Sequence, residues 1–509
     1  MPPLFVARRR APLWLTHMQT DTALPTESPR PRLTETVPPR GRLLDRLGVG
    51  LFAPVDIASI VFLRVAFGAV MLWEVYRYFA YGRIFRYYIE PAVHFKYYGF
   101  GWVKAWPGDG MYWHFYALGA LAACILLGFC YRAAAALFFL GFTYVFLLDQ
   151  TEYLNHFYLI SLLSFLLILV PADRALSLDA WLRPGLRSDW APAWALWLLR
   201  AQVGVVYFFG GVAKLNADWL RGEPMRMWLA PGGRIPNVGF IFTQEWLVYL
   251  FVLGGLLLDL CVVPLILWKR TRPYAFAVAV AFHLTNAIVF QIGIFPWFMM
   301  AATLIFFPPD LARRFAHAVV HPADVAYKPP APPDAAPPLG LSRRRRALFA
   351  FLGLYMALQV LVPLRHFLYP GDVSWTEEGH HFAWHMKLRD KDGTALFKLS
   401  DPASGRQWTV DLRRCQTRQC EKMAGQPEMI LQFAHHLAEE KRREGYPRVE
   451  VRAEVLVSLN GRRPQLLIDP SVDLAKVRRS MWPARWIVPL TEPLPEPGAP
   501  RPKAFHEVE

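Results

Sequence analysis

The stretch 208–225, FFGGVAKLNADWLRGEPM, places an ammonium at the end of an apolar run. Lys214 is one of only 12 lysines in 509 residues, and no other lies between Lys104 and Lys269. The ordinary reading of such a lysine is that it snorkels its charge to the lipid headgroups. There is also a chemical reading. Full burial lowers the pKa of a lysine amine, ordinarily ~10.4, by up to ~3–5 units, because desolvation penalises the charged form. A neutral amine at an apolar helix end accepts a proton from a weakly acidic, lipid-soluble compound. Gly210 and Gly211 just before it let a second helix or a flat ligand approach the backbone. Asn216, Asp218 and Trp219 follow directly. The pattern points to a base and leaves its substrate open.

Other polar groups sit in similar surroundings. Asn155, His156 and Tyr158 open the run NHFYLISLL, and His283 and Asn286 lie inside FHLTNAIVFQIG. A histidine at a span start is ordinarily an interface hydrogen-bonder, whereas one deeper in a span is costly and more often functional. Tyr158 and Trp219 suit either a pocket wall or an interfacial aromatic belt. Cys415 and Cys420 form a C-x4-C pair with no partner pair nearby, so a small disulfide loop fits better than zinc. HEXXH and G-x-S-x-G are absent, and no glycine-rich run has the context of a nucleotide site. No metal is expected, and soluble-cofactor chemistry has no support.

These residues need membrane helices to position them. The chain is 54% hydrophobic, 15% aromatic and only 19% charged, where soluble domains carry about a quarter charged residues. The net charge of +16 could suggest a nucleic-acid partner, but the arginines cluster beside apolar segments, where they set topology. Of the 56 basic side chains, 44 are arginine, and Ala and Pro are abundant, which fits a GC-rich bacterial genome. Spans are expected near 56–80, 112–130, 133–148, 154–171, 192–213, 245–268, 273–290, 293–307 and 347–366. Basic segments at Arg40–Arg46, Arg132, Arg174–Arg187, Lys269–Arg272 and SRRRR then share one side. This puts the N-terminus in the cytoplasm and the C-terminus outside. Loop 81–111, segment 149–159 and the Lys214 turn all face outward.

The expected fold class is a polytopic α-helical membrane protein of about nine transmembrane helices with a C-terminal extracytoplasmic β-rich (α+β) domain. The expected domains are a disordered tail over 1–49 and a catalytic membrane domain over 50–310. A Pro/Arg-rich linker over 311–346 and a last span over 347–366 follow. An outer domain over 367–490 and a flexible tail over 491–509 complete the chain. In the outer domain Val449, Val451, Ala453, Val455, Val457 and Leu459 alternate onto one face, and Asn460-Gly461 makes a turn. HFAWHMKL, ALFKL and QWTVDL are further strand candidates, and PEMILQFAHHLAEEKRREG reads as an amphipathic helix.

Five ordered segments resemble the vitamin K-dependent γ-glutamyl carboxylase family. GGVAKLNADWLRG is similar to the family's Gly-Val-x-Lys-Leu-x-Ala-Asp-Trp segment. NHFYLISLLSFLLILVPADRALSLD is similar to its Asn-His segment, and FHLTNAIVFQIGIFPWFMM to a third block. In the outer domain, TEEGHHFAWHMKLR resembles the Trp-x-Met segment and SLNGRRPQLLIDPSVDLA the Asn-x-Arg segment. Together they span about residues 50–490.

The resemblance implies that Lys214 is the catalytic base that deprotonates reduced vitamin K, a phylloquinone or menaquinone hydroquinone. Oxygen then adds, and the strongly basic alkoxide that results removes a glutamate γ-proton as the quinone becomes its 2,3-epoxide. CO2 adds to the carbanion to give γ-carboxyglutamate. His156 takes the position of the family's essential histidine. Asn155, Tyr158, Trp219, His283 and Asn286 are the expected cofactor contacts; Arg462, Trp384 and His381 are the expected contacts to a glutamate-containing protein or peptide. The partners implied are that substrate and the lipid-borne quinone, in a bacterial inner membrane. Animal members have two successive lysines in the motif; here Ala213 precedes Lys214. Alternatives are a vitamin K epoxidase without peptide carboxylation, a non-catalytic receptor or scaffold, and an acyltransferase using His156 and Asn155. A transporter is less favoured, since paired broken helices in two halves are not evident.

Overall fold

The computed structural model describes residues 50–234, 239–290, 292–320, 327, 329–331, 342–412 and 418–496. The expected tail 1–49, most of the Pro-rich stretch 321–341, Cys415 and the last residues 497–509 lie outside them. Cys420 is disulfide-bonded, and its expected partner Cys415 is among the residues not described. Cys124, Cys130 and Cys261 are free.

Short strands β1 (Pro54–Asp56) and β2 (Trp190–Pro192) pair antiparallel at one end of a helical bundle. The bundle contains α1 (Ala58–Ala80), α2 (Gly110–Leu127), α3 (Tyr131–Leu148), α4 (Asn155–Leu169) and α5 (Ala193–Ala213). It continues with α6 (Glu245–Leu267), α7 (Arg272–Val289), α8 (Phe295–Thr303), α9 (Leu311–Val320) and α10 (Arg343–Leu364). A helix stands at each of the nine expected spans, but the count of nine is not established. Among the described residues six helices are long and apolar enough to cross a membrane, or seven if the pair around α8 and α9, bent by 100°, is one span. The causes are local. α4 has only 15 residues. α7 carries Arg272, His283, Thr285 and Asn286, which dilute its apolarity. Pro308 and Pro309 fall at the break before α9, where proline's missing N–H and fixed φ favour termination. α9 also occupies the start of the segment expected to be linker.

The two ends of the bundle differ chemically. At one end Arg313 reaches Asp56 at 3.2 Å and Asp189 at 3.0 Å, and Arg345 lies over the Phe52 ring at 4.6 Å. Arg132 faces Asp173 at the same end. The opposite end carries an antiparallel sheet in the order β4-β3-β5-β6, built from β3 (Lys391–Ser400), β4 (Gln407–Asp411), β5 (Glu450–Leu459) and β6 (Gln465–Leu466). β5 alternates as expected: Val451, Ala453, Val455, Val457 and Leu459 are buried. They pack with Phe397 and with Met429, Ile430 and Ala434 of the helix α12 (Pro427–Arg443), which follows the shorter α11 (Arg418–Ala424). Asn460 and Gly461 both have positive φ, 53° and 76°, as the Asn-Gly turn requires.

HFAWHMKL is not a strand. Phe382, Trp384 and Lys387 have φ of 66°, 60° and 50°, so the segment coils instead of extending. The coil drops onto the bundle, where Phe382 N donates to Tyr153 Oη at 2.8 Å and Asn155 Nδ2 donates to the His385 carbonyl at 3.0 Å.

Candidate active site

Lys214 is the residue at which α5 stops. Its N–H donates to the Gly211 carbonyl at 3.0 Å, closing the last turn. Asn216 then serves both sides of the break: Nδ2 donates to the Ala213 carbonyl at 2.8 Å, and Oδ1 accepts from Trp219 N at 2.9 Å. The preceding glycines bring α6 against this end. A Cβ on Gly211 would lie 2.6 Å from Leu260 Cδ2, and one on Gly210 would lie 3.2 Å from Asp259 Oδ2. The close approach therefore admits a helix, and that helix delivers Asp259. Lys214 Nζ donates to Asp259 Oδ2 at 2.5 Å and to the Gly210 carbonyl at 3.2 Å, and lies over the Trp219 ring at 5.5 Å. Lys214 and Asp259 are each only 6% exposed. A lysine held this way does not snorkel.

The pair opens on a cavity of about 70 Å³ walled mainly by aromatic rings and methionines, among them Trp219, Trp228, Phe251, Phe282 and Phe290. His283 and Asn286 of α7 line it as well. The hydrogen bonds around His283 fix its polarity. Thr303 Oγ1 donates to the Met299 carbonyl at 2.7 Å. Tyr207 Oη therefore donates to Thr303 Oγ1 at 2.8 Å and accepts from His283 Nε2 at 2.9 Å. In the neutral ring this leaves the Nδ1 lone pair free, and Nδ1 is buried with no hydrogen-bond partner among the described residues.

A second cavity of about 490 Å³ adjoins the first. Ile292, Phe295, Met386 and Lys387 line both. His156, 9% exposed at the first turn of α4, lines the larger one, with its ring 5.7 Å from that of Phe295. Phe295 in turn stands 6.3 Å from the His283 ring. The sheet domain roofs this cavity with His380, His381, His385, Arg389 and Lys391. Burial, followed by neighbouring basic groups (Arg389 for His380 and His381, His366 for His385), holds all three histidines below their ordinary value, His381 and His385 at about 3. They are neutral at pH 7, so the positive charge of the roof comes from Arg389 and the lysines. Burial brings Lys391 down to about 8, against the opposing pull of Glu377 at 3.0 Å. Glu377 also binds Arg389 at 2.6 Å.

Lys214, Trp219, His283 and Asn286 thus share the smaller cavity; His156, Asn155 and His381 share the larger. The Asn155 amide is engaged at both ends, by the His385 carbonyl and by Tyr153 Oη at 3.0 Å. Tyr158 and Trp384 pack against each other at 4.9 Å and line neither cavity. Arg462, expected at the substrate, is committed elsewhere. Its guanidinium holds Asp218 with two bonds of 2.6 and 2.7 Å, and Asn460 Nδ2 adds a third at 2.7 Å. This lock joins the sheet domain to the turn that carries Lys214. Asp259 was missed by sequence reasoning, although an acid inside an apolar helix is itself a signal. Among the described residues no group of three or more His, Cys, Asp or Glu could hold a metal ion.

The architecture is that of a multi-helix membrane protein whose bundle and polar cap build one site, and residues 52–311, just over half the chain, match the HTTM domain family. Residues 344–493 match the family described as vitamin K-dependent gamma-carboxylase, lumenal domain. With both matches in order, the chain belongs to the vitamin K-dependent γ-carboxylase family. No solved structure matches it.

Proposed function

We propose that the protein is an integral-membrane vitamin K-dependent γ-glutamyl carboxylase. It would couple oxygenation of vitamin K hydroquinone to γ-proton removal from a protein glutamate and addition of CO2. The observation that carries this reading is the buried Lys214–Asp259 pair facing an aromatic cavity with the unpartnered His283 Nδ1. Those polar atoms in apolar walls suit a flat ring with two hydroxyl groups. When bound, reduced vitamin K supplies, with oxygen, a base strong enough for the glutamate proton, and it ends as the 2,3-epoxide.

The chain's residues do the rest. In the state in which Asp259 carries the proton of the pair, Lys214 Nζ is a free amine, still donating to Asp259 Oδ2, and its lone pair would take a hydroxyl proton from the quinol. His283 Nδ1 accepts a hydrogen bond from the other hydroxyl. The rings of Phe251, Phe282 and Phe290 keep water away. In the larger cavity Lys387 and Arg389 hold the glutamate carboxylate and favour the second carboxylate that the product gains. His156 stands beside Phe295, where the cavities meet, and serves the carbon that loses its proton. The basic bundle end supports a cytoplasmic N-terminus and an extracytoplasmic sheet domain, in a bacterial inner membrane.

The test is direct. Purified protein is supplied with reduced vitamin K, oxygen, labelled bicarbonate and a glutamate peptide, and epoxide and fixed label are both counted. The wild type should form both products and Lys214→Ala neither. Well-folded wild type forming neither product would overturn the proposal.

A further inference from the structure

The sheet domain presents an apolar tip beside the bundle, and the space behind it adjoins the larger cavity, with Gln150, Glu377, His381 and Gln426 lining both. The loop RRSMWPAR, 478–485, exposes Met481 at 57% and Trp482 at 81%. A polar domain rarely leaves such side chains in water without a partner. The loop is pinned at a defined depth, because Tyr369 Oη donates to the Met481 carbonyl at 2.8 Å. Tyr369 directly follows the 3₁₀ turn Arg365–Leu368 that extends α10, and this turn exposes Phe367 at 67% and Leu368 at 80%. A spanning helix ends at the headgroup layer, so Met481 and Trp482 stand at that layer too.

A cavity of about 420 Å³ lies behind the loop, lined by Arg365, Arg478, Arg485, Tyr98, Tyr369 and Trp486, among others. Its carboxylates are already engaged. Glu377 holds Arg389 and Lys391, Glu428 holds Arg479, and Glu378 accepts from Ala484 N. Its arginines are not neutralised: Arg365, Arg478 and Arg485 form no ion pair among the described residues. Arg365 Nε is buried without a hydrogen-bond partner. Uncompensated arginines behind an apolar wedge match the chemistry of an anionic phospholipid, whose phosphate is acidic and whose chains are apolar.

We propose that this face is an anionic phospholipid site. Met481 and Trp482 insert at the top of the acyl chains, and Arg365, Arg478 and Arg485 receive the headgroup phosphate. The site holds the sheet domain at a fixed height over the bilayer. It does not depend on the catalytic reading.

The experiment is hydrogen–deuterium exchange of segment 476–487 in the full chain. Nanodiscs of phosphatidylcholine are compared with nanodiscs containing phosphatidylglycerol. Phosphatidylglycerol should slow exchange there by roughly 30-fold, the effect of two basic side chains at an anionic surface. Arg478→Gln/Arg485→Gln should abolish that difference. Met481→Ser/Trp482→Ser should speed exchange in both lipids while leaving β3 and β5 unchanged. Equal exchange in both lipids for the wild type would overturn the proposal. So would full protection by inorganic phosphate in detergent, which marks a free-anion site, or by an acidic peptide, which marks a protein-docking site.

Discussion

Replacing Arg462 by alanine deletes two charge-assisted bonds to Asp218, of 2.6 and 2.7 Å, and one of 3.0 Å to the Glu492 carbonyl. Arg462 and Asp218 are both buried. The variant leaves Asp218 with Asn460 as its remaining side-chain partner. An uncompensated buried charge typically costs about 3–5 kcal/mol. Most of that cost should fall on the docking between the sheet domain and the Lys214 turn, which this pair bridges. The assay is a double-mutant cycle of Arg462→Ala and Asp218→Asn, read by thermal unfolding in detergent and by exchange of residues 214–225. Arg462→Ala should accelerate exchange in that turn, and adding Asp218→Asn should recover part of the loss. Arg462→Lys should recover little, because an ammonium cannot reproduce the paired fork. A coupling energy below about 0.5 kcal/mol, the scale of an exposed pair, would refute this account of the lock.

Other consequences follow from the same geometry. Asp259→Asn should lower epoxide formation by roughly 10²-fold or more, the scale of a misplaced general base, with little change in the KM for the glutamate peptide. Tyr207→Phe should raise the KM for the quinol more than it lowers kcat, because it removes the acceptor that fixes His283. Gly211→Ala should destabilise the bundle by about 1–3 kcal/mol, since its Cβ would lie 2.6 Å from Leu260 Cδ2 and 3.1 Å from Leu260 N. Acid should loosen the roof. His385 sits near 3 because of burial first and then His366, Arg389 and Lys214, so the unfolded chain takes up its proton at higher pH. Its contribution is present above ~6.5 and lost as pH falls toward 3, about 2 kcal/mol by pH 5. The thermal midpoint should drop between pH 7 and 5, and His385→Gln should flatten that slope.

Much of this was legible in the sequence because it rests on local patterns. Apolar runs placed every bundle helix except α9, which was expected as linker, and the alternation of β5 with its Asn-Gly turn placed the central strand of the cap. Lys214, His156 and His283 stood out as polar groups where burial is costly. The rest depended on contacts distant in the chain. Nothing near Lys214 announces Asp259, 45 residues later, although Gly210 and Gly211 left room for the helix that delivers it. Arg462 looked like an anion receptor, and only the fold shows that its anion is Asp218, 244 residues away. HFAWHMKL alternates like a strand, but three left-handed residues coil it onto the bundle. The span count also stayed open, because α4 is short, α7 trades apolarity for the polar groups that line the site, and the α8–α9 bend breaks an apolar run at the far end of the bundle.

The central claim is that chemistry begun at Lys214 removes a proton in the neighbouring cavity. The most direct measurement is tritium release from a γ-tritiated glutamate peptide, without bicarbonate, in the presence and absence of reduced vitamin K and oxygen. The account predicts release that requires both, survives in the wild type without CO2 and vanishes in Lys214→Ala. Release that ignores the quinol, or its absence from well-folded wild type that forms epoxide, would contradict it.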